Sequence, residues 1–269
     1  MDPLLNIAMS AARVGGAIVL RGMNRLDVLH VELKQHNDYV SEIDRQSEQA
    51  IIEIIRTAHP DHAILAEESG VGGGKSDYEW IIDPLDGTTN YLHGFPAFSV
   101  SIAVAERGRL VHGVIYDPLR EEMYVASLGR GAFLNDRRIR VTPRRGLKDA
   151  LIGTGFPFRD FSDLDAYLAM LRVAIEQSGG LRRAGSAALD LAWVAAGRLD
   201  GFFELALKPW DIAAGCLLIE EAGGLFGDLA GKPGWPVVGG NILAGSPRVQ
   251  AALITALAPH LPQGVRREA

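Results

Sequence analysis

Apolar residues recur first at helical spacing, then in short alternating runs, and in the second half of the chain the two patterns interleave. Residues 4–20 are largely apolar but interrupted by Arg13, and Asp2 followed by Pro3 reads as an N-cap and a first helical residue, which predicts an amphipathic surface helix. A second helix is predicted over 41–58, with Ile51, Ile52, Ile54 and Ile55 along one side and Pro60 just past its end. Between the two lies the polar stretch Lys34-Gln35-His36-Asn37-Asp38. Short β-type runs follow at 62–66, 79–83, 97–105, 110–116 and 122–126, separated by turn residues such as Arg107-Gly108. Consecutive strands with short turns predict an antiparallel sheet. After Arg144-Arg145-Gly146 helical patterns at 164–175, 187–196 and 212–222 alternate with apolar runs at 201–205 and 241–244, which predicts a more mixed sheet. A closing helix is predicted from Pro247 to about Leu257, and Arg266-Arg267 read as a frayed tail.

The 269 residues, 48% hydrophobic, suffice for one large domain or two closely packed lobes with a sizeable core. A formal net charge of −6 offers nothing to a polyanion, so no direct nucleic-acid partner is expected. The single cysteine, Cys216, cannot close an internal disulfide and falls in an apolar helical pattern where a small buried residue belongs. The chain shows neither a secretory apolar region nor an uninterrupted run of about 18 apolar residues, so a cytoplasmic protein without a membrane partner is expected.

Chemistry enters at Trp80-Ile81-Ile82-Asp83-Pro84-Leu85-Asp86-Gly87-Thr88-Thr89-Asn90, where an apolar strand runs into two carboxylates and then a glycine-hydroxyl turn. If Asp83 ends the strand and Pro84 fixes a turn, Asp86 returns to the same side, and both carboxylates and the Leu85 carbonyl face one point. Such hard oxygen donors suit Mg2+. Gly87 allows close backbone approach, and the N–H groups of Gly87, Thr88 and Thr89 at a helix start can bind a phosphate oxygen. Glu67 and Glu68 follow the apolar run Ala63-Ile64-Leu65-Ala66, and Asp211 begins an apolar helix in Pro209-Trp210-Asp211-Ile212-Ala213-Ala214-Gly215. Each acid alone reads as a cap or a solvated turn. Gathered together they would repel one another and raise their pKa values unless cations neutralised them.

The chain resembles the inositol monophosphatase family, most closely its bacterial branch. The resemblance covers Lys34 to Asp44, Glu67-Glu68-Ser69-Gly70, Asp83 to Asn90, Gly185-Ser186-Ala187-Ala188, Glu204 and Trp210 to Gly215, in family order. It implies an α+β fold, a layered α-β-α-β-α sandwich with an N-terminal antiparallel sheet and a C-terminal mixed sheet. One domain over 1–269 is implied, with lobes of approximately 1–146 and 147–269 and the active site between them. The resemblance further implies a phosphatase holding two or three magnesium ions. Glu67, Asp83 and the Leu85 carbonyl would bind one ion, and Asp83, Asp86 and Asp211 a second, with Glu68 assisting through metal-bound water. Asp44 and Thr88 match the pair that orients and deprotonates the attacking water, and Gly87 with Thr88 the backbone donors to phosphate. Glu204 and the Ala187 amide match contacts to substrate hydroxyls, and the resemblance implies that Asp86 contacts the substrate as well as a metal ion. Ser41 stands where many relatives carry threonine.

The implied substrate is inositol monophosphate or a similar small polyol phosphate. Histidinol phosphate, fructose bisphosphate and nucleotide phosphates are the alternatives, which Glu204 disfavours where a second phosphate would approach it. Also implied are a homodimer, lithium sensitivity and, as a different class of function, regulation through protein contact with the transcription machinery. Among the remaining motifs, Gly70-Val71-Gly72-Gly73-Gly74-Lys75-Ser76 resembles a P-loop but has the wrong spacing and no following helix, and reads as a flexible surface loop. His93 reads as polar surface near the phosphate turn, and Arg182 and Arg183 as interface or sheet-edge residues.

Overall fold

In the computed structural model, which describes residues 2–26, 31–35, 38–158, 160–237 and 240–265, the first helix starts where its capping residues place it. Asp2 Oδ1 accepts the Leu4 N–H at 2.9 Å and Pro3 opens α1 (Pro3–Met23). Leu5, Ala8, Ala12, Gly15, Gly16, Val19 and Gly22 are buried at helical spacing, so α1 is amphipathic as predicted. By length and composition α1 would also suffice to cross a membrane, although the residues interrupting its apolar run hid this from the sequence reading. Its small residues let it approach α2 closely: a Cβ on Gly15 would lie 2.8 Å from the Ser47 hydroxyl.

A two-stranded ribbon, β1 (Val31–Gln35) and β2 (Asp38–Ser41), occupies the polar stretch between the two helices, for which the residues announced no strand; His36 and Asn37 lie outside the described residues, as does the tail from Arg266. Helix α2 (Glu42–Ala58) follows, closed by a capping box in which Asp44 Oδ2 accepts the Ser41 N–H. The chain continues through β3 (Ala63–Ala66), β4 (Gly70–Gly72), β5 (Tyr78–Asp86), α3 (Thr88–Leu92), β6 (Ser99–Glu106), β7 (Arg109–Asp117), β8 (Glu122–Ser127), β9 (Gly131–Leu134) and β10 (Arg137–Arg138). These strands, without the ribbon, form an eight-stranded sheet in the order β10-β9-β8-β7-β6-β5-β3-β4. Its pairings are antiparallel except β3 with β5, which are parallel because β4 intervenes and β3 feeds both neighbours. The glycine-rich segment is thus no free loop: Gly70–Gly72 is an edge strand.

The second half supplies β11 (Leu151–Thr154), α4 (Leu164–Gln177), β12 (Gly180–Arg182), α5 (Ala187–Ala195), β13 (Gly201–Glu204), α6 (Pro209–Glu221), β14 (Leu225–Asp228), β15 (Ile242–Gly245) and α7 (Pro247–Leu257). Its sheet runs β12-β11-β13-β15-β14, with β11 parallel to β12 and β13, and β15 antiparallel to β13 and β14, so it is mixed.

Alternation of side chains along the strands sets the layers. Trp80 and Ile82 of β5 pack with Ile51 and Ile55 of α2 and with α1, whereas Ile81 packs with α5 and α6. Phe202 of β13 joins that same central helical layer, and Phe203 faces α4 and α7. The result is α1α2, large sheet, α5α6, small sheet, α4α7: the α-β-α-β-α sandwich.

Candidate active site

Strand β5 carries the core of the site by means of a bulge. Asp83 pairs with Ser101 and Asp86 with Ser99, so three steps along β5 are matched by two along β6. In a regular strand residues three apart point to opposite faces; the extra residue turns Asp86 to the side of Asp83. The predicted turn at Pro84 is therefore a bulge inside a longer strand, and proline tolerates it because no ladder donor is required of it there. Asp211, at the start of α6, completes a triad: one oxygen each from Asp83, Asp86 and Asp211 lie within 4.8 Å of one another, and all three residues are buried.

Each carboxylate of the triad is anchored. Asp83 Oδ1 accepts the Leu85 N–H at 2.9 Å, Asp211 Oδ2 the Lys208 N–H at 2.7 Å, and Asp86 Oδ2 the Ala188 N–H at 2.8 Å and the Ser186 hydroxyl at 2.5 Å. Burial pushes Asp83 well above the ordinary carboxylate range, reinforced by the charges of Glu67, Asp86 and Asp211. Burial likewise lifts Asp86 to about 6 against the bonds from Ser186 and Ala188. Oxygen donors packed this tightly are stable as carboxylates only beside a cation, and hard all-oxygen sets fit Mg2+ or a similar ion.

Around the triad lies a cavity of about 500 Å³ lined by Glu67, Asp83, Leu85, Asp86, Asp211, the Gly87-Thr88-Thr89 turn, Ala187 and Glu204. Gly87 caps α3 in the left-handed region at φ 95°, and a Cβ there would lie 2.8 Å from the Ala97 carbonyl oxygen, so only glycine fits. Thr88 Oγ1 lies 2.8 Å from Asp44 Oδ1 and 3.0 Å from the Leu85 carbonyl oxygen. Asp44 is fully buried, and burial raises its pKa although bonds from Ser41 and Thr88 oppose the rise. Glu204 is seated by a missing side chain, since a Cβ on Gly155 would overlap its carboxyl.

The structure thus brings Glu67, Asp83, Leu85, Asp86, Gly87, Thr88, Ala187, Glu204 and Asp211 to one cavity, with Asp44 behind Thr88. Glu67 stands on the wall beside the tight triad. Glu68 does not line the cavity; its N–H donates to Glu48 Oε2 at 2.8 Å. Sequence reasoning set aside His93 and Arg183, which both line the cavity, and missed Phe156, Phe158 and Asp160. The Arg183 guanidinium lies 5.2 Å from the Phe156 ring centroid and 4.6 Å from that of Phe158. No local motif joins these residues; only the paired aromatics near a loop glycine hinted at them. Cys216 is buried in α6, as expected.

The sequence profile of the inositol monophosphatase family matches residues 1–263. The chain is 52% identical over 272 aligned residues to the Nus factor SuhB of Pseudomonas aeruginosa, covering 99% of this chain and 100% of that protein. Its fold superposes on the suhB extragenic suppressor protein of Bartonella henselae with a TM-score of 0.92 and 44% identity, covering 95% of this chain and 98% of the other. With the inositol monophosphatase of Anabaena the TM-score is 0.83 at 38% identity, covering 97% of each chain.

Proposed function

The chain belongs to the inositol monophosphatase family, and from that membership we propose that it is a Mg2+-dependent phosphatase of inositol monophosphate or a similar small polyol phosphate. The observation that carries this reading is the buried Asp83–Asp86–Asp211 triad on the same cavity wall as the Gly87–Thr88 turn. Glu67, Asp83, the Leu85 carbonyl, Asp86 and Asp211 would hold the ions. Bound there, Mg2+ supplies charge neutralisation for the phosphoryl oxygens and lowers the pKa of water.

The residues of the chain do the rest. Backbone N–H groups of Gly87 and Thr88 bind a phosphate oxygen. Thr88 Oγ1 donates to Asp44 Oδ1, which leaves the hydroxyl oxygen to accept a hydrogen bond from the attacking water. As the water oxygen bonds to phosphorus, its proton passes to Thr88 and the threonine proton to Asp44, whose burial favours the protonated form. The ester P–O bond breaks on the opposite side, the leaving alkoxide takes a proton from solvent water, and Asp44 returns its own proton to solvent through Thr88 after the product leaves. The Ala187 amide and the Glu204 carboxylate meet hydroxyls of the alcohol, and a second phosphate beside Glu204 would be repelled.

A panel of phosphate esters assayed with and without Mg2+ tests the reading, with Asp83→Asn as the reference. Turnover should require the cation, favour the polyol monophosphate and vanish in D83N while the fold persists. Wild-type turnover by D83N at saturating Mg2+ would sink the site assignment; preference for a bisphosphate would sink the substrate. A second reading is favoured by the likeness to the Nus factor of P. aeruginosa: the chain also contacts the transcription machinery through protein surfaces. Co-purification of RNA polymerase with D83N would support it, and failure of both D83N and wild type to retain polymerase would refute it.

A further inference from the structure

Helix α2 turns a polar stripe into the protein. Asp44 and Ser47 are fully buried and Glu48 is 3% exposed, on the same side as the core residues Ile51 and Ile55. Buried polar groups cost stability unless bonded, and each of these three is bonded to a different piece of the site. Asp44 holds Thr88, the Ser47 hydroxyl donates to the Pro84 carbonyl at 3.0 Å inside the β5 bulge, and Glu48 receives the turn after β3.

The Glu48 contact is bidentate. Oε2 accepts the Glu68 N–H at 2.8 Å and Oε1 the Ser69 N–H at 2.9 Å. Those two amides lie in the three-residue connection between Ala66 and Gly70, the last pair of the β3–β4 ladder. Glu67, just ahead of them, still donates its N–H to the Ile82 carbonyl at 3.2 Å, so it is gripped by β5 on one side and by the Glu48-bound turn on the other. Charge-assisted bonds to consecutive amides are stronger than neutral ones and define the direction of the turn.

We infer that Glu48 is a positioning residue that aims Glu67 at the triad and thereby sets the affinity of the site for divalent cations. This rests on the metal-dependent reading above. Glutamine at this position keeps one acceptor and replaces the other with a donor, so one of the two amides loses its partner. Aspartate keeps the charge but is one carbon too short to hold both amides from the same backbone position.

Calorimetric titration of Mg2+ into the full chain, stripped of metal and free of substrate, separates the possibilities when wild type, E48Q and E48D are compared with thermal melts in chelator. The expected result is Mg2+ binding by wild type and binding weakened about 10- to 100-fold in both variants, each folded at the titration temperature. Equal binding by wild type and both variants overturns the role of Glu48. So does a loss of binding that merely follows melting of the variants below the titration temperature. Failure of wild type itself to bind Mg2+ refutes instead the metal-dependent reading.

Discussion

Asp190 shows what burial does to one carboxyl. It is 1% exposed, on the first turns of α5, and its Oδ1 has no hydrogen-bond partner among the described residues. Burial pushes its pKa well above the usual 3.8, helped by the charges of Glu204 and Asp86 and opposed by Arg183. The unfolded chain releases this proton near 3.8 while the folded chain keeps it, so above that pH the folded state binds the extra proton. Stability therefore falls as pH rises from the unfolded pKa towards the folded one. Asp190→Asn removes this slope: melts in saturating Mg2+ across about pH 4 to 8 should show D190N close to wild type at the acid end and more stable at the alkaline end. Parallel melting curves would contradict the account. Nothing in Ala187-Ala188-Leu189-Asp190-Leu191 announces this, because an acid on a helix is ordinary until the packing around it is known.

Among the elements, α6 depends on a trough in the large sheet. Ala103, Gly113, Ala126 and Ala132 are register partners across β6, β7, β8 and β9, a row of small residues beneath the helix. A Cβ on Gly113 would lie 2.8 Å from the Ala214 carbonyl oxygen. Gly113→Val should lift α6, costing about 1–3 kcal/mol through overpacking and more if the backbone cannot yield. Because Asp211 precedes Ala214 by three residues, the same lift should weaken Mg2+ binding. Denaturant melts and cation titration on one sample check both, and unchanged cation affinity in a destabilised G113V would break the link between packing and site. The start of α1 was readable because Asp2-Pro3 is local chemistry, whereas the Ser41–Asp44 capping box of α2 came to light only in the structure. The β5 bulge and the parallel β3–β5 pairing were not readable, since each is settled by a neighbour strand.

For the molecule as a whole, the central helices make the two sheets one structure. Ile81, Ile115 and Tyr124 of the large sheet and Phe202, Phe226 and Ala244 of the small one share a core with α5 and α6. Two lobes divided near residue 146 that share such a core should unfold together. Calorimetry is expected to give a single transition with equal calorimetric and van't Hoff enthalpies in the absence of metal. Mg2+ should raise its midpoint in proportion to the logarithm of its concentration once that exceeds the Kd. Two resolved transitions would show the lobes to be separate units.

Legible in the residues themselves were the main helices, the cap of the first of them, the mixed character of the second sheet, and the acids and hydroxyls of the site, because capping, periodicity and donor chemistry belong to neighbouring residues and to recognisable motifs. Only the packing of distant segments revealed how Asp83, Asp86 and Asp211 come within 4.8 Å, through the β5 bulge and the start of α6, that Glu48 grips the turn beside Glu67, and that Phe156, Phe158 and Arg183 wall the cavity. Those relations depend on which distant segments pack together, and the energy that brings them together is the burial of apolar surface, which a linear pattern allots to faces without assigning their partners.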